Sequence, residues 1–321
     1  MTPNDNHADI YDLGDKYGYL PYMIERYVEM LGTESTRKLL LFNEKKLPKT
    51  IRLNSLRAPF SKISRRLHEK GIKLKKIDEH LPEGREVLES PFPLGATPEY
   101  LNGYYMLQGK NSLYPSILLN PRSNELVGDF TAAPGGKTSH LAQIMNNEGT
   151  IVAIEISSKR CRSLKANLSR MGVTNTIVLN MDARGVKKLN LKFDKILLDV
   201  PCSGSGIIIT DPTRKSSKTL TDLANFNRYQ IEILSKVLEV LKSGGELVYC
   251  TCSLEIEENE IVISKVLEIA DLELKTIEIC GDSGLTKFKD YKINPELSKA
   301  KRLYPHKTNG EGFFIVKMVK K

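Results

Sequence analysis

Leu126-Val127-Gly128-Asp129-Phe130-Thr131-Ala132-Ala133-Pro134-Gly135-Gly136-Lys137-Thr138 is the stretch that decides how this chain is read. An apolar run over 126–130 stops at a cluster of small residues, and a helical pattern over 137–145 starts directly behind it. Small side chains let a ligand come close to the backbone, and a helix start offers N–H groups that have no partner inside the helix. Two phosphate-binding loops compete for the stretch, and both fail. A P-loop ending in Gly136-Lys137-Thr138 needs a glycine five residues before Gly136, where Thr131 stands. The dinucleotide pattern G-x-G-x-x-G is absent.

Downstream the same rhythm continues. Apolar runs at 150–154, 176–179, 193–199 and 245–251 are separated mostly by helical patterns, at 159–171 and 220–241. This alternation predicts an α/β domain, a parallel doubly wound sheet with helices on both faces. Right-handed crossovers then bring every strand-to-helix loop to one sheet edge, where ligands bind. Acids stand at three successive strand ends: Glu155, Asp182 and Asp199. Each alone reads as a helix cap. Together, beside a small-residue loop, they point to an adenosyl ligand, with Glu155 on the ribose hydroxyls and Asp182 at the base edge. Without phosphate-binding chemistry, S-adenosylmethionine fits better than a nucleotide di- or triphosphate.

Upstream, helical patterns at 22–31, 34–43 and 60–69 mix with strand patterns at 50–53 and 72–77, and a turn-rich stretch follows at 91–98. The expected division is a helical segment over 1–48, a small α+β module over 49–122 and the larger domain over 123–321. The 321 residues carry a net charge of +9, unevenly spread. Residues 37–76 alone hold fourteen Lys/Arg against two acids, and 287–321 hold ten against three, so the remainder is acidic. Such density raises a nucleic-acid partner above a merely solvated face. Arg65, Arg66, Lys75 and Lys76 are its expected contacts.

A hydrophobic fraction of 40% with 27% charged residues argues against disorder. No apolar run approaches the ~20 residues that span a bilayer, and the polar, acidic start does not read as a secretory signal, so no membrane partner is expected. Five cysteines without paired spacing predict reduced thiols in the cytoplasm, and no C-x-x-C or histidine cluster supports a metal. Nothing in the sequence names a protein partner.

Two of the cysteines stand at strand ends: Cys202 in Asp199-Val200-Pro201-Cys202-Ser203-Gly204, and Cys252 in Tyr249-Cys250-Thr251-Cys252-Ser253. Both open into the expected cleft, whereas Cys161, Cys250 and Cys280 read as small core residues. A thiolate beside S-adenosylmethionine has a defined chemical use. Carbon 5 of a pyrimidine is a poor nucleophile until a thiolate adds to carbon 6 and makes it enamine-like. The adduct needs an acid near nitrogen 3, for which Asp199 is the local candidate. Loss of the carbon 5 proton then lets the thiol leave, a release that a second cysteine can assist.

Ala132-Ala133-Pro134-Gly135-Gly136-Lys137-Thr138, the Asp199–Gly204 run, and Thr251-Cys252-Ser253 followed by Glu258-Asn259-Glu260 resemble, in order, the signatures of the NOP/Sun (RsmB-like) RNA cytosine-5 methyltransferases. Glu89-Ser90-Pro91-Phe92-Pro93-Leu94-Gly95 and Gly312-Phe313-Phe314 are also family-like, and the resemblance covers most of the chain after about residue 45. It implies a Rossmann-like class I methyltransferase domain with a smaller, RNA-recognition-like α+β module. It further implies that Cys252 is the nucleophile and that Cys202 assists release. Ala132, Ala133, Pro134, Gly135, Gly136, Lys137, Thr138, Glu155, Arg160, Asp182 and Asp199 would contact S-adenosylmethionine. The compact size is similar to archaeal-type tRNA enzymes, which favours tRNA over rRNA. Two departures stand out: Thr131 where many members have Cys, and an Ile-rich run over 206–211 where a basic residue is frequent. A non-catalytic RNA-binding protein of the same fold is the alternative, and the intact cysteine pair counts against it. A DNA cytosine-5 enzyme would use the Pro-Cys cysteine alone, whereas a Thr-Cys cysteine is present here too.

Overall fold

The amphipathic run over 60–69 shows how the small module assembles. Ile63 and Leu67, one turn apart, are buried, while Lys62, Arg65 and Glu69 face solvent. Gly71 ends the helix at φ 77°, and the Ile72 amide donates back to the Leu67 carbonyl at 3.0 Å. The computed structural model describes residues 3–321; Met1 and Thr2, which open the expected 1–48 segment, lie outside the described residues. Three helices come first, α1 (Pro3–Lys16), α2 (Pro21–Leu31) and α3 (Thr33–Asn43). The module follows as β1 (Lys49–Leu53), α4 (Phe60–Glu69), β2 (Lys73–Lys76), β3 (Gly84–Glu89), α5 (Pro98–Leu101) and β4 (Tyr105–Leu107). Its antiparallel sheet runs β2-β3-β1-β4, and α4 packs on Ile51, Leu53, Val87 and Tyr105.

The larger unit begins with α6 (Tyr114–Leu119) and continues through β5 (Leu126–Asp129), α7 (Gly136–Ile144), β6 (Thr150–Glu155), α8 (Ser158–Met171) and β7 (Thr176–Asn180). It then adds β8 (Phe193–Asp199), α9 (Leu220–Val240), β9 (Leu241–Thr251), α10 (Glu260–Leu267), β10 (Leu272–Lys275), β11 (Asp282–Ser283), β12 (Lys301–Leu303), α11 (Pro305–Thr308) and β13 (Phe313–Lys320). Strands β7-β6-β5-β8-β9 are parallel neighbours in that order. The chain leaves β5 toward β6 and β7, then returns to build β8 and β9 on the other side. The loops after β5 and β8 therefore diverge and leave a crevice.

The five expected strands are parallel, and the sheet continues past them with strands of the opposite direction. β13 lies antiparallel to β9 and carries β12 and β10 on it, also antiparallel. Only the short α11 separates β12 from β13, and a parallel return needs a crossover of a dozen residues or more.

Side chains alternate across the large sheet as the two-residue period requires. Ile196, Leu198, Leu247 and Tyr249 pack with α9, whereas Leu197, Val248 and Cys250 pack with α6 and α7. Helix α6, ahead of the boundary expected at 122, thus rests on the large sheet. Helices α1–α3 contribute Ile10, Met23, Ile24, Tyr27, Leu39 and Leu40 to a cluster with Ile208, Leu254 and Tyr304. The Ile-rich run therefore anchors these helices behind the loops that follow β8 and β9. Between the two sheets lies a buried polar seam. Arg52 donates to Gln108 Oε1 at 3.1 Å and Ser139 Oγ at 2.7 Å, and His140 Nε2 lies 2.6 Å from Glu83 Oε1. Burial and the Arg52 charge push the His140 imidazolium down to about 4. His140 therefore stays neutral beside Glu83, whose carboxyl the nearby groups hold below its ordinary value.

Candidate active site

The loop after β5 turns tightly because Gly135 adopts φ 102°, and Gly136 then starts α7. Lys137, one residue into the helix, points back across the crevice, with Nζ 2.7 Å from Asp199 Oδ2 at the end of β8. Burial alone would push this ammonium down, but Asp199 more than offsets it and holds Lys137 above its ordinary value. Beneath the pair, Asp129 accepts from Thr138 Oγ1 at 2.6 Å. Burial, reinforced by the Asp199 charge, lifts the Asp129 carboxyl to about 6.

Cys202 follows β8 and Cys252 follows β9, and their sulfurs lie 3.1 Å apart, both unoxidised. The hydrogen bond to Cys252, with burial second, pushes the Cys202 thiol well up. Glu258 ties the two loops together. It accepts from the Ser203 amide at 2.8 Å, from the hydroxyls of Ser203 and Ser253, and from Gln230 Nε2 at 3.2 Å. Each serine is the immediate neighbour of one cysteine. Asn259 binds Thr251 Oγ1 at 2.6 Å and the Ser253 carbonyl at 2.9 Å. Glu260 pairs with buried Arg302, which also donates to the Leu254 carbonyl at 2.8 Å. From the opposite side, Arg26 of α2 pairs with Glu255 at 2.7 Å. Gly206 threads between Cys252 and Gly312, where a Cβ would stand 2.7 Å from the Cys252 carbonyl.

The crevice forms two chambers, of 320 and 330 Å3, that share Thr131, Ala133, Asp199 and Cys252. The first is lined also by Gln108, Asp129, Lys137, Ile207, Glu311 and Phe313. The second is lined also by Phe130, Glu155, Ile156, Arg160, Cys202 and Tyr229. Most of the residues expected from sequence converge here. Ala132, Ala133, Pro134, Gly136 and Lys137 line the first chamber, whereas Gly135 faces Leu164 and Thr138 is buried on Asp129. Glu155 accepts from the Ser157 amide at 2.8 Å and pairs with Arg160 at 3.3 Å; Arg160 also donates to the Ala133 carbonyl at 2.7 Å. Asp182 caps the turn over Ala183–Leu189 and binds Arg184 Nη2 at 2.6 Å, so Ala183, not Asp182, lines the second chamber.

Arg65, Lys75 and Lys76 are exposed on the small module, but Arg66 is committed to buried Glu99 at 3.2 Å. Asp129, Glu258 and Glu311 were not singled out as site residues from sequence. Asp129 lies inside the 126–138 stretch and Glu258 directly before Asn259-Glu260, so both carry a signal; Glu311 carries only its place beside Gly312-Phe313-Phe314.

The second chamber suits an adenosyl group. Phe130, Ile156, Ala183, Pro201 and Ile233 give it apolar walls, and Glu155 supplies a buried acceptor for hydroxyls. Thr131 Oγ1, on the shared wall, is shielded from solvent and has no hydrogen-bond partner among the described residues. Among the described residues no group of three or more His, Cys, Asp or Glu could hold a metal ion, and no helix is long and apolar enough to cross a membrane.

A family model described as 16S rRNA methyltransferase RsmB/F matches residues 116–319. The human 28S rRNA (cytosine(4447)-C(5))-methyltransferase is 38% identical over 314 residues, 96% of this chain and 39% of that protein. The tRNA (cytosine(72)-C(5))-methyltransferase of Pyrococcus horikoshii is 38% identical over 222 residues, 68% of this chain and 53% of that one. The chain thus spans about half the length, or less, of these curated relatives. Among solved structures, a methyltransferase homolog protein from Pyrococcus horikoshii superposes with a TM-score of 0.90 at 39% identity, covering 100% of both chains. NSun6 from the same organism, solved with SFG, superposes at 0.84 with 26% identity, covering 95% of this chain and 99% of that one.

Proposed function

This chain belongs to the RsmB/F methyltransferase family, and we propose that it transfers a methyl group from S-adenosylmethionine to carbon 5 of a cytosine in RNA. The observation that carries the reading is the position of Cys252. Its sulfur lies 3.1 Å from a second thiol, on the wall shared by both chambers and beside the Lys137–Asp199 pair.

The second chamber would hold S-adenosylmethionine, with Glu155 accepting from the ribose and Arg160, Thr131 and Ala133 around it. Asp182 would join only by releasing a bond to Arg184. When bound there, S-adenosylmethionine supplies an electrophilic methyl group. The flipped base occupies the first chamber, where Cys252 as thiolate adds to carbon 6 and turns carbon 5 into a nucleophile. Negative charge that develops on the ring is met at nitrogen 3 by the proton that Asp199 shares with Lys137. After loss of the carbon 5 proton, Cys202, kept protonated beside Cys252, donates a hydrogen bond to the departing sulfur. Arg65, Lys75 and Lys76 of the 49–122 module would bind the RNA backbone. Free thiols suit a reducing, cytoplasmic setting.

We take tRNA as the favoured substrate, as the Pyrococcus horikoshii relative acts on tRNA. The 38% identity to a 28S rRNA enzyme over 96% of the chain keeps rRNA as the second reading. Methyl-labelled S-adenosylmethionine, offered with unmodified tRNA or rRNA transcripts, decides both points. Label recovered as 5-methylcytidine from one class supports the reading and names the class. Label in neither, or in another nucleoside, overturns it.

A further inference from the structure

We infer that Glu311 reads the exocyclic amine of the target cytosine and so sets the preference for cytosine over uracil. This rests on the methyltransferase reading above and adds to it a residue that discriminates between bases.

Glu311 lies between α11 and β13 and lines the first chamber. It also lines a groove of 470 Å3 that shares Leu107, Gln108 and Gly109 with the chamber and opens between Pro93-Leu94-Gly95 and Thr210. Its Oε2 is shielded from solvent and has no hydrogen-bond partner among the described residues. Burial lifts the carboxyl above its ordinary value, and the backbone amides of Glu311 and Asn111, then the Lys137 charge, offset that only in part. Gly109 is what admits the carboxylate: a Cβ there would stand 1.8 Å from Glu311 Oε1. A buried acceptor without a donor is costly, and it is retained where a ligand supplies the donor.

The other carboxylates of the chamber already have partners. Asp199 Oδ2 is bound to Lys137 and its Oδ1 lies 3.5 Å from the Cys250 thiol, while Asp129 holds Thr138. Cytosine presents an amine donor at carbon 4 where uracil presents a carbonyl acceptor. A carboxylate facing that position attracts the first and repels the second, so discrimination has both an attractive and a repulsive part. A site built to hydrogen-bond one substrate rejects its mismatched analogue strongly because its buried polar group is left unpaired.

The test uses the purified enzyme, S-adenosylmethionine and unmodified tRNA and rRNA transcripts, with 5-methylcytidine and 5-methyluridine measured by nucleoside mass spectrometry. The amide of Glu311→Gln can donate to the uracil carbonyl. The expected result is 5-methylcytidine formation reduced at least tenfold (on the order of one lost charge-assisted hydrogen bond) and a 5-methyluridine to 5-methylcytidine ratio raised at least tenfold. Gly109→Ala, which displaces the carboxylate while leaving Glu311 in place, is expected to raise the ratio too, and it decides the matter if Glu311→Gln does not fold. Wild-type activity on cytosine with an unchanged ratio in a folded variant overturns this inference alone. A wild-type enzyme that methylates no cytosine overturns the underlying reading instead.

Discussion

Glu258 holds together two cysteines that stand fifty residues apart in the chain. Its carboxylate takes donors from both cysteine loops and from α9, and burial raises its pKa. Glu258→Gln keeps the shape but replaces an acceptor with a donor, so one serine must turn away and the thiols separate. A misplacement near 1 Å costs about a hundredfold in rate. We therefore expect kcat to fall by about 10- to 100-fold while cofactor affinity, measured by calorimetry, stays put. Equal losses in affinity and kcat would mean that Glu258 serves only the fold. At this scale sequence was partly legible. It placed Cys202, Cys252, Lys137 and Asp199 at strand ends or at a helix start, where direction follows from topology. It could not show that Asp182 turns to Arg184 two residues on, because an acid that caps a turn and one that meets a ligand look alike in sequence, or that Glu311 is shielded from water, because that depends on neighbours distant in the chain.

Among the elements, α2 matters through one side chain. Arg26 reaches from the amino-terminal helices to Glu255, three residues after Cys252, and both side chains are nearly fully buried. Glu255 is already raised by burial, with Arg26 opposing that shift. Arg26→Ala leaves a buried carboxylate unpaired, which costs about 3–5 kcal/mol. The loss is expected as a lower denaturant midpoint with an unchanged slope; an unchanged midpoint would show that the clamp is dispensable. Elements with strong periodicity were readable: α4 spans the residues its pattern marks, and β5, β6, β7 and β8 agree within a residue or so. The elements that were missed have other causes. β3, Gly84-Arg85-Glu86-Val87-Leu88-Glu89, has few apolar residues and is made a strand by pairing with β1 and β2. The first residues of β9 include Ser243-Gly244-Gly245, which read as a turn, yet Leu241 pairs with Phe193.

Over the whole molecule, the net charge of +9 divides into cations that are free to meet phosphate and cations that already serve the fold. Arg65, Lys75 and Lys76 are exposed, whereas Arg66 and Lys70 both neutralise the fully buried Glu99. Charge density in the sequence located the basic module but could not separate these two groups, since Glu99 lies thirty-three residues from Arg66. Replacing Arg65, Lys75 and Lys76 with Gln should weaken RNA binding and flatten the dependence of log K on log salt by about 2 units, at about 0.7 per single-strand phosphate contact. Arg66→Gln should instead lower the unfolding midpoint with little change in that slope. Titrations at several salt concentrations distinguish the two outcomes, and an unchanged slope in the triple variant would place the RNA elsewhere.

The proposed covalent step through Cys252 is the centre of the mechanism put forward above, and one measurement reaches it directly. Cys202→Ala enzyme is incubated with RNA and S-adenosylmethionine, the protein-bound RNA is isolated and digested, and the modified peptide is sequenced by mass spectrometry. The expected product is the peptide containing Cys252 bonded to a cytidine that carries the new methyl group. An adduct on another cysteine, or no adduct while Cys252→Ser still methylates RNA, would contradict the assignment.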